Sequence, residues 1–229
     1  MGRVGQVDNL SHTEDSHLIY NLTPSTHSVN ALRIGFFGGT FDPPHNGHLL
    51  VAHKAIEELG LEEVNFAPSR LPPHKIDNDL SPIAHRVEMT RLAIQANPRF
   101  LMSYIDVDRE GPTYSVDALK ILREGWHEST EIYFLMGMDS LANILTWHQP
   151  DALIQLCKLA VFARPGFIAP MDELEQKLPG LRERTVFVNA PPLEISATEI
   201  QRRVRVGESI EDLVPVHVAE YIRLTGLYK

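Results

Sequence analysis

The chain has 229 residues, of which 43% are hydrophobic and 22% charged, enough for one soluble α/β domain with a real core. Its formal net charge of -9 repels a polyphosphate backbone, so broad nucleic-acid binding is excluded while a small anion gathered by a few local basic groups is not. No run reaches the roughly 18 apolar residues of a membrane span, and the N-terminus lacks a secretory signal.

Residues 1–30 are rich in Ser, Thr, His, Asn and Asp without a sustained period and read as a disordered extension. A single domain over 31–229 follows. Leu32 to Phe37 is an apolar run ending at Gly38-Gly39, as a buried first strand would. Gly47 to Leu59 has helical spacing, with Gly60 placed as a C-terminal cap. Glu63 to Ala67 reads as a strand, and Ser69 to Asp79 as a Pro-rich loop. Ser81 as N-cap and Pro82 at the first helical position open a helix to about Ala96.

Phe100 to Val107 reads as a strand, Ser115 to about Arg123 as a helix, and Glu131 to Met136 as a strand ending at Gly137. Lys158 to Ala163 and Thr185 to Val188 are further strands. Ser196 to Val206 and Pro215 to Leu224 are helices. Strands alternating with helices predict a Rossmann-like, doubly wound, mostly parallel α/β sheet covered on both faces. Ligands then bind beyond the carboxyl ends of the strands, on the loops after Phe37, Ala67, Met136 and Ala163. Cys157, the single cysteine, cannot form an internal disulfide, fits a reducing cytoplasm, and reads as core. The sequence leaves the oligomeric state open.

The sharpest segment runs from Gly38 to His48: Gly38-Gly39-Thr40-Phe41-Asp42-Pro43-Pro44-His45-Asn46-Gly47-His48. Its glycines allow close backbone approach, and the helix start offers N–H groups and a positive dipole end to phosphate. His45 and His48, three residues apart, project from one side of the first turn, with Gly47 leaving room for a bulky ligand. Two imidazoles there can donate to phosphate oxygens and stabilise charge developing on an attacked phosphorus. A lone histidine at a helix start is usually a cap. A zinc site would need a third ligand that no cluster supplies.

The second segment runs from Ile195 to Arg203. Ser196 with Glu199 forms a capping box, and Arg202 and Arg203 add charge that can pair with phosphates. Together the two segments resemble the His-x-Gly-His and Ile-Ser-x-Thr-x-Ile-Arg motifs of the nucleotidyltransferase α/β-phosphodiesterase superfamily. Within it the chain is most similar to the bacterial nicotinate mononucleotide adenylyltransferases. Pro72-Pro73-His74-Lys75, Thr113 to Asp117, Gly137-Met138-Asp139, Trp147-His148 and Arg164-Pro165-Gly166 extend the likeness over Leu32 to Lys229. One departure stands out: Gln201 occupies the position of the family arginine.

The resemblance implies an enzyme that joins the AMP of ATP to nicotinate mononucleotide in NAD biosynthesis, giving deamido-NAD and pyrophosphate, with Mg²⁺ accompanying ATP. Nicotinamide mononucleotide, phosphopantetheine and a cytidylyltransferase acceptor are the rival substrates. His45 and His48 would be catalytic. Gly38, Gly39, Thr40, Phe41, Gly47, Asp139, Ser196, Thr198 and Arg202 would hold ATP, with Asp139 on a ribose hydroxyl. Lys75 would reach the acceptor phosphate, Thr113 and Tyr114 would offer backbone N–H groups to the nicotinate carboxylate, and Trp147 would stack on the pyridine ring. No dedicated metal site, nucleic acid or membrane partner is implied.

Overall fold

Among the described residues the sheet has six strands, all parallel, in the order β3-β2-β1-β4-β5-β6. They are β1 (Arg33–Gly39), β2 (Glu63–Pro68), β3 (Phe100–Met102), β4 (Glu131–Gly137), β5 (Lys158–Phe162) and β6 (Thr185–Val188). This is a computed structural model, and it describes residues 32–72, 80–162, 169–191 and 195–229. The reading of residues 1–30 as an extension lies outside these, as do Lys75, Ala163 and the Arg164-Pro165-Gly166 segment.

Side chains of period two sort the core into two faces. On one side Phe37, Val64, Phe66, Tyr133, Leu135, Ala160 and Phe162 meet helices α1 (Asn46–Leu59), α2 (Ile83–Ile94), α8 (Ala197–Arg205) and α9 (Val216–Thr225). On the other, Phe36, Ile132, Phe134, Met136, Leu159 and Val161 meet α3 (Ser115–Gly125), α4 (Met138–Ala142), α5 (Pro150–Leu156), α6 (Met171–Lys177) and α7 (Leu181–Arg184). Each central strand is buried on both faces, hence the unbroken apolar runs in the sequence. The doubly wound expectation holds. Cys157 is buried and packs into the second face, and burial pushes its thiol up to about 12.

Strand order reverses between β1 and β4, so the crevice at their carboxyl ends is the switch point. Inside β1, Gly35 leaves room for a neighbouring side chain: an added Cβ would stand 2.8 Å from Val64 Cγ2. Gly60 ends α1 in the left-handed region, φ 64°, as a C-cap glycine does.

Three local expectations are corrected. The strand expected over Phe100 to Val107 stops at Met102: it is the sheet edge, and the chain turns so that Val107 N–H donates to the Tyr104 carbonyl. Ser81 is not the cap of α2; Pro82 holds that place, and Ser81 N–H donates to Asp42 Oδ2 at 2.9 Å. The helices α4 to α7 are additions of four to seven residues each. Among the described residues no helix is long and apolar enough to cross a membrane.

Candidate functional site

The loop after β1 enters α1 with His45 as the N-cap residue. His45 N–H donates to His48 Nδ1 at 3.1 Å. That bond fixes the tautomer: with Nδ1 accepting, the neutral His48 ring carries its proton on Nε2. The two rings stack, centroids 3.7 Å apart and planes at 27°. Two cations at that distance would repel, and burial settles which ring is neutral. His45 is only 8% exposed, and its pKa is pushed down to about 4. Its Nδ1 is buried, lacks a partner among the described residues, and rests against Gly47, where an added Cβ would stand 2.9 Å away. Nothing there accepts a proton, so Nε2 is the better place for it. Gly47 therefore makes room for the His45 ring.

This burial has a measurable consequence. The unfolded chain takes up the His45 proton near pH 6.5 and the folded chain near 4, so the unfolded state binds more protons between those values. Stability from the neutral ring is complete above pH 6.5 and is lost as pH falls toward 4, by up to about 3 kcal/mol. Asp106 acts in the opposite sense. Burial pushes its carboxyl up to about 6, against the pull of Arg109 at 2.9 Å, so its contribution is lost as pH rises through 6. The His45 part is isolated by comparison: across pH 6.5 to 4.5, a His45→Asn variant should lose less melting temperature than the unmodified protein. Parallel curves would refute it.

The backbone of Phe41 is left-handed, φ 48°, which turns the ring inward. The ring is 2% exposed, lies over Gly39, and meets His48 edge-on at 5.0 Å. Phe41 thus backs His48 with its ring.

At α8 the Ser196 Oγ accepts Glu199 N–H at 3.2 Å, but the Glu199 carboxylate does not return to Ser196. It takes Arg202 through two 2.8 Å bonds, which hold its pKa down to about 2. Only half the capping box forms. Arg202 also meets Glu208 at 2.7 Å, and Arg203 reaches Asp212 at 3.3 Å. These pairs are half-exposed, so exchanging a carboxylate for a phosphate costs little. Ser196 and Thr198 are exposed at the start of α8. Gln201 does something the sequence did not announce: its Nε2 donates to the Asp42 carbonyl at 2.8 Å, joining the second motif to the first.

A cleft of about 310 Å³ opens at the switch point. Gly38, Gly39 and Thr40 line it from the end of β1 and the loop after it, Gly137 from the end of β4, and Ser140 from α4. Thr113, Tyr114, Trp147 and His148 close it. Trp147 stands edge-on to Phe134 at 5.7 Å, and the Tyr114 ring packs on His148 at 4.3 Å. The Thr113 N–H expected to face a carboxylate is taken by the Leu71 carbonyl at 3.0 Å. Tyr114 is the N-cap residue of α3, so the first turn after it carries the N–H groups that face the cleft end. Asp139 is exposed in the first turn of α4, between Gly137 and Ser140 but not itself in the lining.

Six predicted residues thus share one cleft, while His45 and His48 stack at the start of α1 and α8 reaches the same loop through Gln201 on the Asp42 carbonyl. Phe37 bridges them: it lines the cleft, and its ring lies 5.8 Å from that of His48. His148, Ser115 and Ser140 were missed as lining residues, although His148 and Ser115 stood inside quoted segments. Among the described residues no three His, Cys, Asp or Glu side chains gather as a metal cage.

Residues 36–203 match a family model described as cytidylyltransferase-like. A Thermomicrobium roseum protein named "probable nicotinate-nucleotide adenylyltransferase" is 47% identical over 197 residues, covering 86% of this chain and 92% of that one. The Bacillus subtilis nicotinate-nucleotide adenylyltransferase is 38% identical, covering 86% and 98%. A solved structure of the Plasmodium falciparum nicotinic acid mononucleotide adenylyltransferase complexed with NaAD superposes with a TM-score of 0.70. It is 22% identical, covers 86% of this chain and 97% of its own, and speaks to the fold.

Proposed function

The chain belongs to the cytidylyltransferase-like family, and from that membership and the site's geometry we propose how it carries out adenylyl transfer. It is a nucleotidyltransferase of NAD synthesis that joins the AMP of ATP to nicotinate mononucleotide, releasing pyrophosphate. The observation that carries the mechanism is the stacked imidazole pair, locked by His45 N–H on His48 Nδ1 at the start of α1.

The phosphate of nicotinate mononucleotide attacks the α-phosphorus of ATP in line, a new P–O bond forms, and the bond to the β-phosphate breaks with pyrophosphate leaving. The nucleophile is already an anion, so no general base is required. Both rings donate through Nε2 to α- and β-phosphate oxygens, stabilising charge as it moves onto them. Ser196, Thr198 and Arg202 hold the outer phosphates, Arg202 by trading a carboxylate for a phosphate. Gly38, Gly39 and Thr40 let the nucleotide lie against the backbone, and Asp139 bonds a ribose hydroxyl. Lys75 takes the acceptor phosphate.

Magnesium fits this site as an ion carried by ATP. Both carboxylate oxygens of Asp42 are taken by Ser81 N–H and the Tyr228 hydroxyl, and the described residues form no cage. Triphosphate oxygens and water would hold it, and it would neutralise phosphate charge.

The acceptor ring lies in the cleft between Trp147 and Tyr114. Its carboxylate faces the first turn of α3, whose dipole favours a negative charge over a neutral amide. Chromatography of products from ATP, Mg²⁺ and either acceptor tests this. Deamido-NAD should form much faster than NAD; equal rates overturn the acid preference, and no pyrophosphate overturns the activity. Trp147→Ala should raise KM for the acceptor about 10-fold, with KM for ATP little changed. An unchanged acceptor KM would remove Trp147 from the ring site.

A further inference from the structure

The loop carrying the two imidazoles is held by side chains remote in sequence. Asp42 is 4% exposed, and its two carboxylate oxygens are separately engaged. Oδ2 accepts Ser81 N–H at 2.9 Å, and Oδ1 accepts the hydroxyl of Tyr228, 186 residues away. Its main-chain carbonyl accepts Gln201 Nε2, 159 residues away.

The backbone marks the same contact. Among the described residues only three that are not glycine have positive φ: Phe41 at 48°, Gln149 at 50° and Tyr228 at 67°. Two of the three are Tyr228 itself and the residue before Asp42. A bulky side chain in the left-handed region is strained and persists only where surrounding contacts over-determine it. Burial, and then the bond to the Asp42 carboxylate, push the Tyr228 phenol well above its ordinary range, so it remains a donor.

We infer that Tyr228 and Gln201 are positioning residues for the imidazole pair, clamping Asp42 from α8 and from beyond α9 so that His45, three residues on, and His48 meet the phosphates in one geometry. Neither residue lines the cleft. Donors that stabilise a transition state must stand within a few tenths of an ångström of the developing charge, and a 1 Å displacement costs about 100-fold. Losing one of two clamps should cost less, about 10-fold. The loss should fall on kcat, because the imidazoles act on charge that develops only in the transition state.

The inference rests on the adenylyl-transfer reading, and one experiment separates the two. Tyr228→Phe and Gln201→Met each remove a single donor while keeping bulk. Both are assayed with ATP and nicotinate mononucleotide well below their melting temperatures, with the histidine ring protons followed by NMR at one neutral pH. The expected result is a kcat about 10-fold lower in each, both KM values within about threefold of the unmodified protein, and shifted His45 and His48 resonances. If one variant does not fold, the other decides. A kcat within twofold in a folded variant overturns the inference, as does a change confined to KM, or a fall in kcat with unmoved resonances. An unmodified protein that releases no pyrophosphate overturns the reading beneath it, and the inference with it.

Discussion

His48→Ala is expected to lower kcat by about 100- to 1000-fold with both KM values within a few-fold, the cost of removing one preorganised donor from developing charge. The geometry makes this a question with two possible answers. His48 Nδ1 accepts the His45 N–H, which is a helix-capping role, while Nε2 carries the proton that phosphate would accept. Alanine removes both. His48→Asn keeps an acceptor for the His45 N–H but has no donor where Nε2 stood. It should melt close to the unmodified protein and still lose about 100-fold in kcat. Near-normal kcat in His48→Asn would show the ring to be only a cap.

The neutrality of His45 bears on how much can be gained. A ring held down to about 4 offers a directed hydrogen bond, not a cation, at neutral pH. Stacked on His48 and backed by the Phe37 and Phe41 rings, the pair has little freedom, so catalysis draws on orientation more than on net charge. Positive charge in the second motif sits on Arg202 and Arg203, both paired with Glu199.

How much of this was legible depends on the length of the signal. The opening strand and α1 were found almost to the residue, because an apolar run, a Gly-Gly stop and a capping glycine are all local features. The motifs at α1 and α8 were legible for the same reason. The helices α4 to α7 were not: at four to seven residues they span less than two full turns, too short for a 3.6-residue period to declare itself. Nor can periodicity report a carbonyl that captures an N–H from another segment, as Leu71 does at Thr113. The burial of the Phe41 ring was not legible either, because it depends on a left-handed backbone that no local pattern reports. Gln201 read as a lost phosphate contact, and its amide instead ties α8 to Asp42.

Arg86 is the strongest case of a residue invisible to pattern, since a lone arginine in an amphipathic helix reads as a solvated charge. It is 1% exposed. Its Nε donates to the Ser81 carbonyl at 2.9 Å, Nη1 to Thr40 at 3.0 Å and Ser69 at 2.6 Å, and Nη2 to Arg70 at 3.0 Å. One planar fork thus joins the loops after β1 and β2 to the start of α2, under the edge of the cleft that Thr40 and Ser69 line. Burial lowers its pKa while the Asp42 charge raises it, and a guanidinium remains charged through both. Removing it leaves four main-chain carbonyls short of a donor, so Arg86→Met should lose about 3–5 kcal/mol, or about 10 °C in melting temperature. Arg86→Lys should recover little, because a single ammonium on a flexible stem cannot span four acceptors held in that plane. Kinetics should follow structure: with Thr40 released, KM for ATP rises in both variants even below their melting temperatures. If Arg86→Met instead melted within about 2 °C of the unmodified protein, the carbonyls would have to be satisfied without the fork, and the loops at the cleft would owe their positions to something else.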